Sequence, residues 1–289
     1  MLLGALEAGG TKMVCAIGDE KGNIIERISI PTETPEVTMP KMISFFQSYK
    51  LDALGIGTFG PADLNPASET YGYITTTPKL AWKNYDIRGE FEKALQIPVG
   101  FDTDVNAACL GEATFGCMQD VDNGIYITIG TGVGVGVMVN RTLLHGMLHP
   151  EGGHILLSKN PDDTYKGSCP YHDCCLEGLA AGPAIEGRYG KKAIELKDVP
   201  EVWELEAEYI AKALVNYILI LSPERIVLGG GVMHQEQLFP LVRVKTLELL
   251  NGYVNTKQLT DIDTYIVPPS LNDNQGVLGC IRLAINAIK

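Results

Sequence analysis

The sequence predicts an α/β protein of two similar lobes around a central cleft, and two observations lead to this fold class. A strand, a glycine turn and a second strand occur near the start of the chain and again from residue 124. In both halves the order continues with a helix, a strand ending in glycines, another strand and another helix, which indicates a weak internal duplication. Open α/β sheets bind ligands at their strand ends, so two such lobes predict a ligand-binding cleft.

The first half supplies the elements of one lobe. LLGALEA and MVCAIG read as strands joined by a Gly-Gly turn, and DEKGN is typical of a hairpin turn before a third strand. Further along, the pattern predicts a helix over 39–49, strands over 53–60 and 97–104, and a helix over 105–116 that ends at Gly116.

The second half repeats this design. Residues 124–146 predict strand, glycine turn, strand, Asn-Arg turn and strand, and 201–221 form a long helical pattern. RIVLGGGV, at 225–232, predicts a strand that ends in glycines, and DTYIVPPS, at 263–270, predicts another strand. The expected N-terminal lobe is 1–116, joined by a C-terminal helix 275–289, and the expected C-terminal lobe is 117–274.

Composition narrows the class of function. The chain has 289 residues, 45% of them hydrophobic and 20% charged, with a net charge of −12. That charge argues against nucleic acid or an anionic membrane as a partner. No apolar run is long enough for a transmembrane helix, and we expect no signal peptide, because the first residues lack a basic region and a cleavage site. The 7 cysteines are an odd number, so we expect reduced thiols in a cytoplasmic protein.

Three glycine turns are candidates for binding phosphate: EAGGTK (7–12), TIGTGVGVG (128–136) and LGGGV (228–232). None fits a P-loop or a dinucleotide fingerprint. Glycine lets backbone N–H groups approach a phosphate, and Thr11, Lys12 and Thr131 add hydroxyl and ammonium donors. Tight hairpins alone would also explain any single turn, but two matching turns in duplicated halves favour phosphate.

Acid–base candidates lie in FDTDVNAA (101–108), just before the predicted helix. Asp102 and Asp104 at a helix N-terminus are ordinarily caps. The functional interpretation is a general base that accepts a hydroxyl proton, and Asp104, at the strand-to-helix junction, is the better candidate. Glu7 is expected to contact a Mg²⁺ water, to order its loop, or only to be solvated.

A cysteine–histidine segment, GSCPYHDCCLEG at 167–178, predicts a metal site. Cys169, His172 and Cys175 are zinc ligands at regular spacing, and a tetrahedral site needs a fourth. His154 is the best candidate, with His145 and His149 as competitors and Cys174 as an alternative to Cys175. Unmetallated loop thiols remain the structural alternative, whereas the cysteine spacings disfavour a redox pair. We expect this clip to be an insertion, 145–178, in the C-terminal lobe.

The motifs together resemble the ROK family of sugar kinases (repressor, open reading frame, kinase). EAGGTK, GIGTFGP, DTDVNAA, IGTGVGVG, EGGHI, AAGPAIE and VLGGGV occur in the family's order, and CPYHDCCLEG resembles its bacterial fructokinase subgroup. The resemblance covers almost the whole chain. It implies an actin-like, hexokinase-type fold with duplicated ribonuclease-H-like domains.

The resemblance also implies roles for single residues. Asp104 would be the catalytic base for the sugar 6-hydroxyl. The residues expected at the sugar are Thr103, Glu151, His154, Glu177, Gly60 and Pro61. Those expected at ATP are Gly9, Gly10, Thr11, Lys12, Thr131, Gly132, Gly182, Pro183, Gly230 and Gly231. A structural Zn²⁺ would be held by His154, Cys169, His172 and Cys175, with Cys174 a spare thiol.

The expected function is phosphorylation of fructose to fructose 6-phosphate with ATP and Mg²⁺. Many ROK glucokinases have Asn where this chain has Thr103, which weakens a glucose interpretation. The alternatives are another ROK hexose kinase, for mannose or glucose, and a non-catalytic sugar sensor. A homodimer is expected from the resemblance and from the prevalence of symmetric dimers.

Overall fold

A computed structural model describes the whole chain, residues 1–289. The strands are β1 Leu2–Ala8, β2 Lys12–Asp19, β3 Ile24–Pro31, β4 Ala53–Thr58, β5 Tyr73–Ile74, β6 Tyr85–Asp86, β7 Val99–Thr103, β8 Gly124–Ile129, β9 Val133–Val139, β10 Thr142–Leu143, β11 Arg225–Gly229 and β12 Ile266–Val267. The α-helices are α1 Pro35–Gln47, α2 Ile87–Leu95, α3 Asp104–Phe115, α4 Leu176–Ala180, α5 Gly182–Tyr189, α6 Pro200–Leu221, α7 Leu238–Leu250, α8 Lys257–Thr260, α9 Ile262–Tyr265 and α10 Gln275–Ile288. None of the helices has both the length and the apolar character needed to cross a membrane.

The chain divides into two compact units. The first comprises residues 1–120, 136–150 and 270–289, and the second comprises residues 121–135 and 151–269. Helix α10 therefore returns the C-terminal end of the chain to the first unit. The division falls within β9.

The two five-stranded sheets have the same topology. Their strand orders are β3-β2-β1-β4-β7 and β10-β9-β8-β11-β12. In each sheet, three consecutive strands lie side by side, and the fourth strand is parallel to the first of them, on its other side. The duplication predicted from the glycine turns is therefore confirmed at the level of strand order.

The sheet of the first unit is covered on both faces. Because side chains alternate along a strand, β1 buries Leu6 on one face and Leu3 on the other. The Leu6 face packs against α1 and α2 through residues such as Phe46 and Phe91. On the Leu3 face, α10 packs against α3 and the sheet. Such two-sided cover holds the carboxyl ends of the strands at one rigid edge.

The second unit has its core around α6, which buries Trp203 and Leu214 and packs against α4 and α7. One predicted strand is shorter than expected here. Residues 263–270 were expected to form a strand; α9 takes Ile262–Tyr265, and the strand, β12, has only two residues. The guanidinium of Arg243 donates to the carbonyls of Asp263 and Ile266, so these acceptors are satisfied without a longer ladder.

Candidate active site and metal centre

In the glycine turn of the first unit, the carbonyls of Gly9, Thr11 and Lys12 accept hydrogen bonds from the protein, whereas two of the N–H groups donate none. Thr32 donates through its hydroxyl to the Gly9 carbonyl (2.7 Å) and through its N–H to the Thr11 carbonyl (3.0 Å). The Gly9 N–H closes the turn on the Lys12 carbonyl at 3.0 Å. No acceptor in the protein takes the N–H groups of Gly10 and Thr11. Such unpaired amides in a turn form a site for an anion.

Asp104 is the first residue of α3, at the end of β7, where the sequence places it. Helix α3 is capped by Thr103 and not by Asp104, for which capping was the alternative role. The buried hydroxyl oxygen of Thr103 accepts the Asn106 N–H at 3.2 Å. The Asp104 carboxylate accepts the N–H of Val105 at 2.8 Å, and its side chain is half-buried. Thr103 therefore caps α3, and capping does not account for the position of Asp104.

Asp102 is buried and paired with His145, a contact that sequence reasoning missed. Its carboxylate lies 2.9 Å from Nε2 of His145 and accepts hydrogen bonds from the Thr103 N–H and the Asn106 side chain. The hydrogen bond to Asp102 raises the pKa of His145 above its ordinary value. Asp102 therefore positions the β7–α3 junction, and His145 does not belong to the metal cluster.

His149, the other rejected competitor for the metal, lies beside Gly60 and Pro61. It is buried, and its Nε2 accepts the N–H of Ala62 at 3.3 Å. The Pro61 carbonyl accepts both the N–H and the hydroxyl of Thr75. The Gly60–Pro61 loop, which was predicted to contact the substrate, is thus held on both sides. In the sequence, the only feature that drew attention to His149 was the position of HPEGG close to other histidines.

Glu7 is the second-last residue of β1, just before the first glycine turn. Burial raises the pKa of its carboxyl, and the positive charges of Arg27 and Lys12 oppose that rise. The carboxylate accepts no hydrogen bond from the protein. Glu7 is half-buried, and a partly desolvated carboxylate without a donor is costly, so this residue fits the water shell of a hydrated cation.

Three glycine segments meet in the second unit. The Gly182 N–H donates to the Gly130 carbonyl at 2.7 Å, and Gly130 in turn donates to the Gly132 carbonyl at 2.9 Å. The backbone of Gly231 lies next to Gly130, and Gly230 precedes it with a positive φ of 91°. As in the first unit, the N–H groups at the turn, of Thr131 and Gly132, have no acceptor in the protein.

Pro183 and Glu177 complete the predicted residues around this turn. Pro183 is exposed in the first turn of α5. The Glu177 carboxylate accepts the N–H of Val133 at 3.0 Å, and it occupies the space that a Cβ on Gly132 would need, 2.7 Å away. A side chain at position 132 would move this carboxylate away from the Val133 N–H. Glu177 therefore sits directly against the glycine turn.

The cysteine–histidine cluster has the spacing of a metal site. The ligand atoms of His154, Cys169, His172 and Cys175 all lie within 4.8 Å of one another. Nδ1 of His154 is 3.7 Å from Sγ of Cys169 and 3.8 Å from Sγ of Cys175, and Nδ1 of His172 is 3.7 Å from Sγ of Cys169. Tetrahedral zinc with bonds of about 2.3 Å to sulfur and about 2.0 Å to nitrogen separates such atoms by about 3.6 Å. The donor set and spacing fit Zn²⁺.

The backbone brings the two halves of this cluster together. Leu157 donates to the Cys174 carbonyl at 2.8 Å, and Leu176 donates to the Ile155 carbonyl at 3.0 Å. Burial raises the pKa of Cys175 to about 11, so without a cation this thiol is protonated at neutral pH. A metal ion is the group that would hold it as a thiolate. Cys174 contributes only its backbone to this arrangement.

Comparison with known proteins identifies the family. The model of the ROK family matches residues 3–287, so the chain belongs to the ROK family. The crystal structure of a ROK hexokinase from Thermus thermophilus, 26% identical, superposes with a TM-score of 0.81 over 100% of this chain and 99% of that one. The predicted actin-like, hexokinase-type fold class is thereby confirmed.

Two relatives are similar over their whole length. A protein of Bacillus subtilis (strain 168) is 52% identical over 289 residues, covering 100% of this chain and 97% of the relative. A protein of Pediococcus pentosaceus named fructokinase is 49% identical over 292 residues, covering 100% of this chain and 99% of the relative.

Proposed function

We propose that this protein is an ATP-dependent fructokinase that transfers the terminal phosphoryl group of ATP to the 6-hydroxyl of D-fructose. The observation that carries the proposal is the pair of matching glycine turns, each with N–H groups that no protein acceptor takes. The Pediococcus pentosaceus relative supports fructose as the sugar.

Asp104 is the proposed base. Its carboxylate takes the proton of the 6-hydroxyl as that oxygen bonds to the terminal phosphorus, and the bond from phosphorus to the bridging oxygen breaks to release ADP. Thr11 and Lys12 in the first unit and Thr131 and Gly132 in the second donate to phosphate oxygens. The turns are fixed before ATP arrives, so their contribution is positioning and charge neutralisation. A Mg²⁺ ion bound with ATP supplies further neutralisation of the phosphate charge.

The adenosine and sugar ligands are proposed from the same geometry. Gly182, Pro183 and Gly230–Gly231 border the second glycine turn and would lie near the adenosine. Glu151, His154 and Glu177 would accept or donate hydrogen bonds at sugar hydroxyls, as would Thr103 and the Gly60–Pro61 loop. Glu7 is the residue we place at the water shell of the Mg²⁺.

We further propose that His154, Cys169, His172 and Cys175 hold one structural Zn²⁺. Because Nδ1 of His154 faces the sulfurs, its Nε2 remains for a sugar hydroxyl. Cys175 caps α4 by accepting the Gly178 N–H, and the first turn of α4 carries Glu177. The metal would therefore orient two sugar ligands at once. The lobe boundaries, the homodimer and the cytoplasmic location stay predictions.

The experiment is a steady-state comparison of fructose, mannose and glucose with ATP, using wild-type protein and Asp104→Asn. We expect fructose to have the highest kcat/KM and the variant to lose about 10²- to 10⁴-fold in kcat. Asp198→Asn, on an exposed carboxylate, is the matched control. Near-wild-type turnover by Asp104→Asn would remove the assigned base. Preference for another hexose, or sugar binding without ADP formation, would favour the corresponding alternative.

A further inference from the structure

Lys79 is a cation beside the first glycine turn that the sequence motifs do not include. Its Cε lies 3.5 Å from the position that a Cβ on Gly10 would occupy. The side chain is exposed, and its ammonium has no ion-pair or hydrogen-bond partner in the protein. A lysine with no acidic partner thus lies against the turn whose N–H groups are also unpaired.

The backbone of Lys79 is fixed on both sides. Its N–H donates to the hydroxyl of Thr77, which is buried, at 3.2 Å. Its carbonyl accepts the N–H of Trp82 at 2.8 Å. The residue is therefore not on a free loop, even though the segment between β4 and β6 has little regular structure.

The same short segment braces both the turn and the lysine. Thr32 holds the carbonyls of Gly9 and Thr11, and the next residue, Glu33, accepts the indole N–H of Trp82 at 2.7 Å through its carbonyl. Trp82 is 1% exposed and has an edge-to-face contact with Phe59. Because Thr32 and Glu33 are consecutive, the spacing between the glycine turn and Lys79 is set locally.

We propose that Lys79 is a phosphate-binding residue, whose ammonium pairs with an oxygen of the terminal phosphates of ATP bound on the turn at residues 9–12. This rests on the proposed function, because it assigns one more ligand to the same phosphates. The turn's amides are uncharged, and a compact ammonium adds the charge-assisted bond that they lack. We assign the anion as a polyphosphate, because Lys79 lies against the glycine turn, whose unpaired amides suit an anion.

The test is calorimetric titration of the full chain with MgATP, AMP and tripolyphosphate. Three variants are compared with wild type: Lys79→Met, Lys79→Arg and Lys83→Met. Lys83 is an exposed lysine four residues along the same segment and is the matched control. Thermal unfolding of each variant checks that the exposed substitutions leave the fold intact.

We expect Lys79→Met to raise the Kd of MgATP and of tripolyphosphate about tenfold, the value of one charge-assisted contact at an accessible site. AMP should bind within twofold of wild type, Lys79→Arg should bind within threefold, and Lys83→Met should be unchanged. Equal affinity of wild type and Lys79→Met for both polyphosphates would overturn the assignment, as would an equal loss for AMP. Failure of wild type to bind any of the three would instead overturn the proposed function.

Discussion

Glu177 allows the proposed sugar contact to be separated from a structural role. Glu177→Gln retains a carbonyl oxygen that can still accept the Val133 N–H, now 3.0 Å from the carboxylate. It replaces the second carboxylate oxygen with a donor and removes the charge. Glu177→Ala removes both functions. The first variant therefore tests the sugar contact, and the second adds loss of the bond to the glycine turn.

The hydrogen bonds that each variant loses set the expected size of each effect. A hydrogen bond to a charged group contributes about 1.5–3 kcal/mol, so loss of one such bond to a sugar hydroxyl weakens fructose binding about 10- to 150-fold. Keeping a neutral bond to Val133 limits the stability loss of Glu177→Gln to about 1 kcal/mol. In Glu177→Ala the Val133 N–H loses its acceptor, which lowers the free energy of unfolding by a further ~1–3 kcal/mol.

The assays are fructose and ATP titrations at saturating co-substrate, together with urea unfolding. Glu186→Gln, on an exposed glutamate of α5, is the matched control. We expect a higher fructose KM for Glu177→Gln with the ATP KM within twofold of wild type. A fructose KM within twofold of wild type would refute Glu177 as a sugar ligand, and a rise only in the ATP KM would assign it to the glycine turn alone.

Two further predictions concern the metal and a histidine. Protein purified without chelator should contain about one zinc per chain by elemental analysis. Cys169→Ser should lose the zinc together with thermal stability and fructose affinity, whereas Cys174→Ser should keep it. Metal-free wild-type protein would contradict the proposed zinc site. His145→Gln should lower the free energy of unfolding at pH 5.5 by under about 1 kcal/mol, because the pair with Asp102 is partly exposed. Since the pKa of His145 is raised, this contribution is present at acidic pH and is lost as pH rises through the raised value. Urea unfolding at pH 5.5 and 9 checks this, and an equal loss at both would be inconsistent with it.

Local patterns predicted most of the fold because they depend on near neighbours. The Gly-Gly turn between β1 and β2 and the end of α3 at Gly116 both follow from residues a few positions apart. The strand expected at 263–270 is shorter than predicted for the opposite reason. Its backbone acceptors are satisfied by Arg243, about twenty residues earlier, and no period in the sequence carries that information.

The parts of the candidate site that could be predicted are those in which residue type and sequence spacing point to the same function. His154 joins Cys169 and Cys175 because two backbone hydrogen bonds pair their segments, and the residue types pointed to it. The pair of Asp102 with His145 spans 43 positions and needed the tertiary structure. Lys79 has no motif at all, since an isolated lysine after Pro78 looks like an ordinary surface residue.

The inward bonding of the turn carbonyls has a consequence for the thermodynamics of ligand entry. The carbonyls of Gly9, Thr11 and Lys12 already accept hydrogen bonds, from Thr32 or from the Gly9 N–H. An arriving phosphate breaks no protein hydrogen bond and orders no loose backbone; it displaces only water from the free amides. Affinity at this turn should therefore carry little conformational penalty, and the heat-capacity change on binding tripolyphosphate alone should be small.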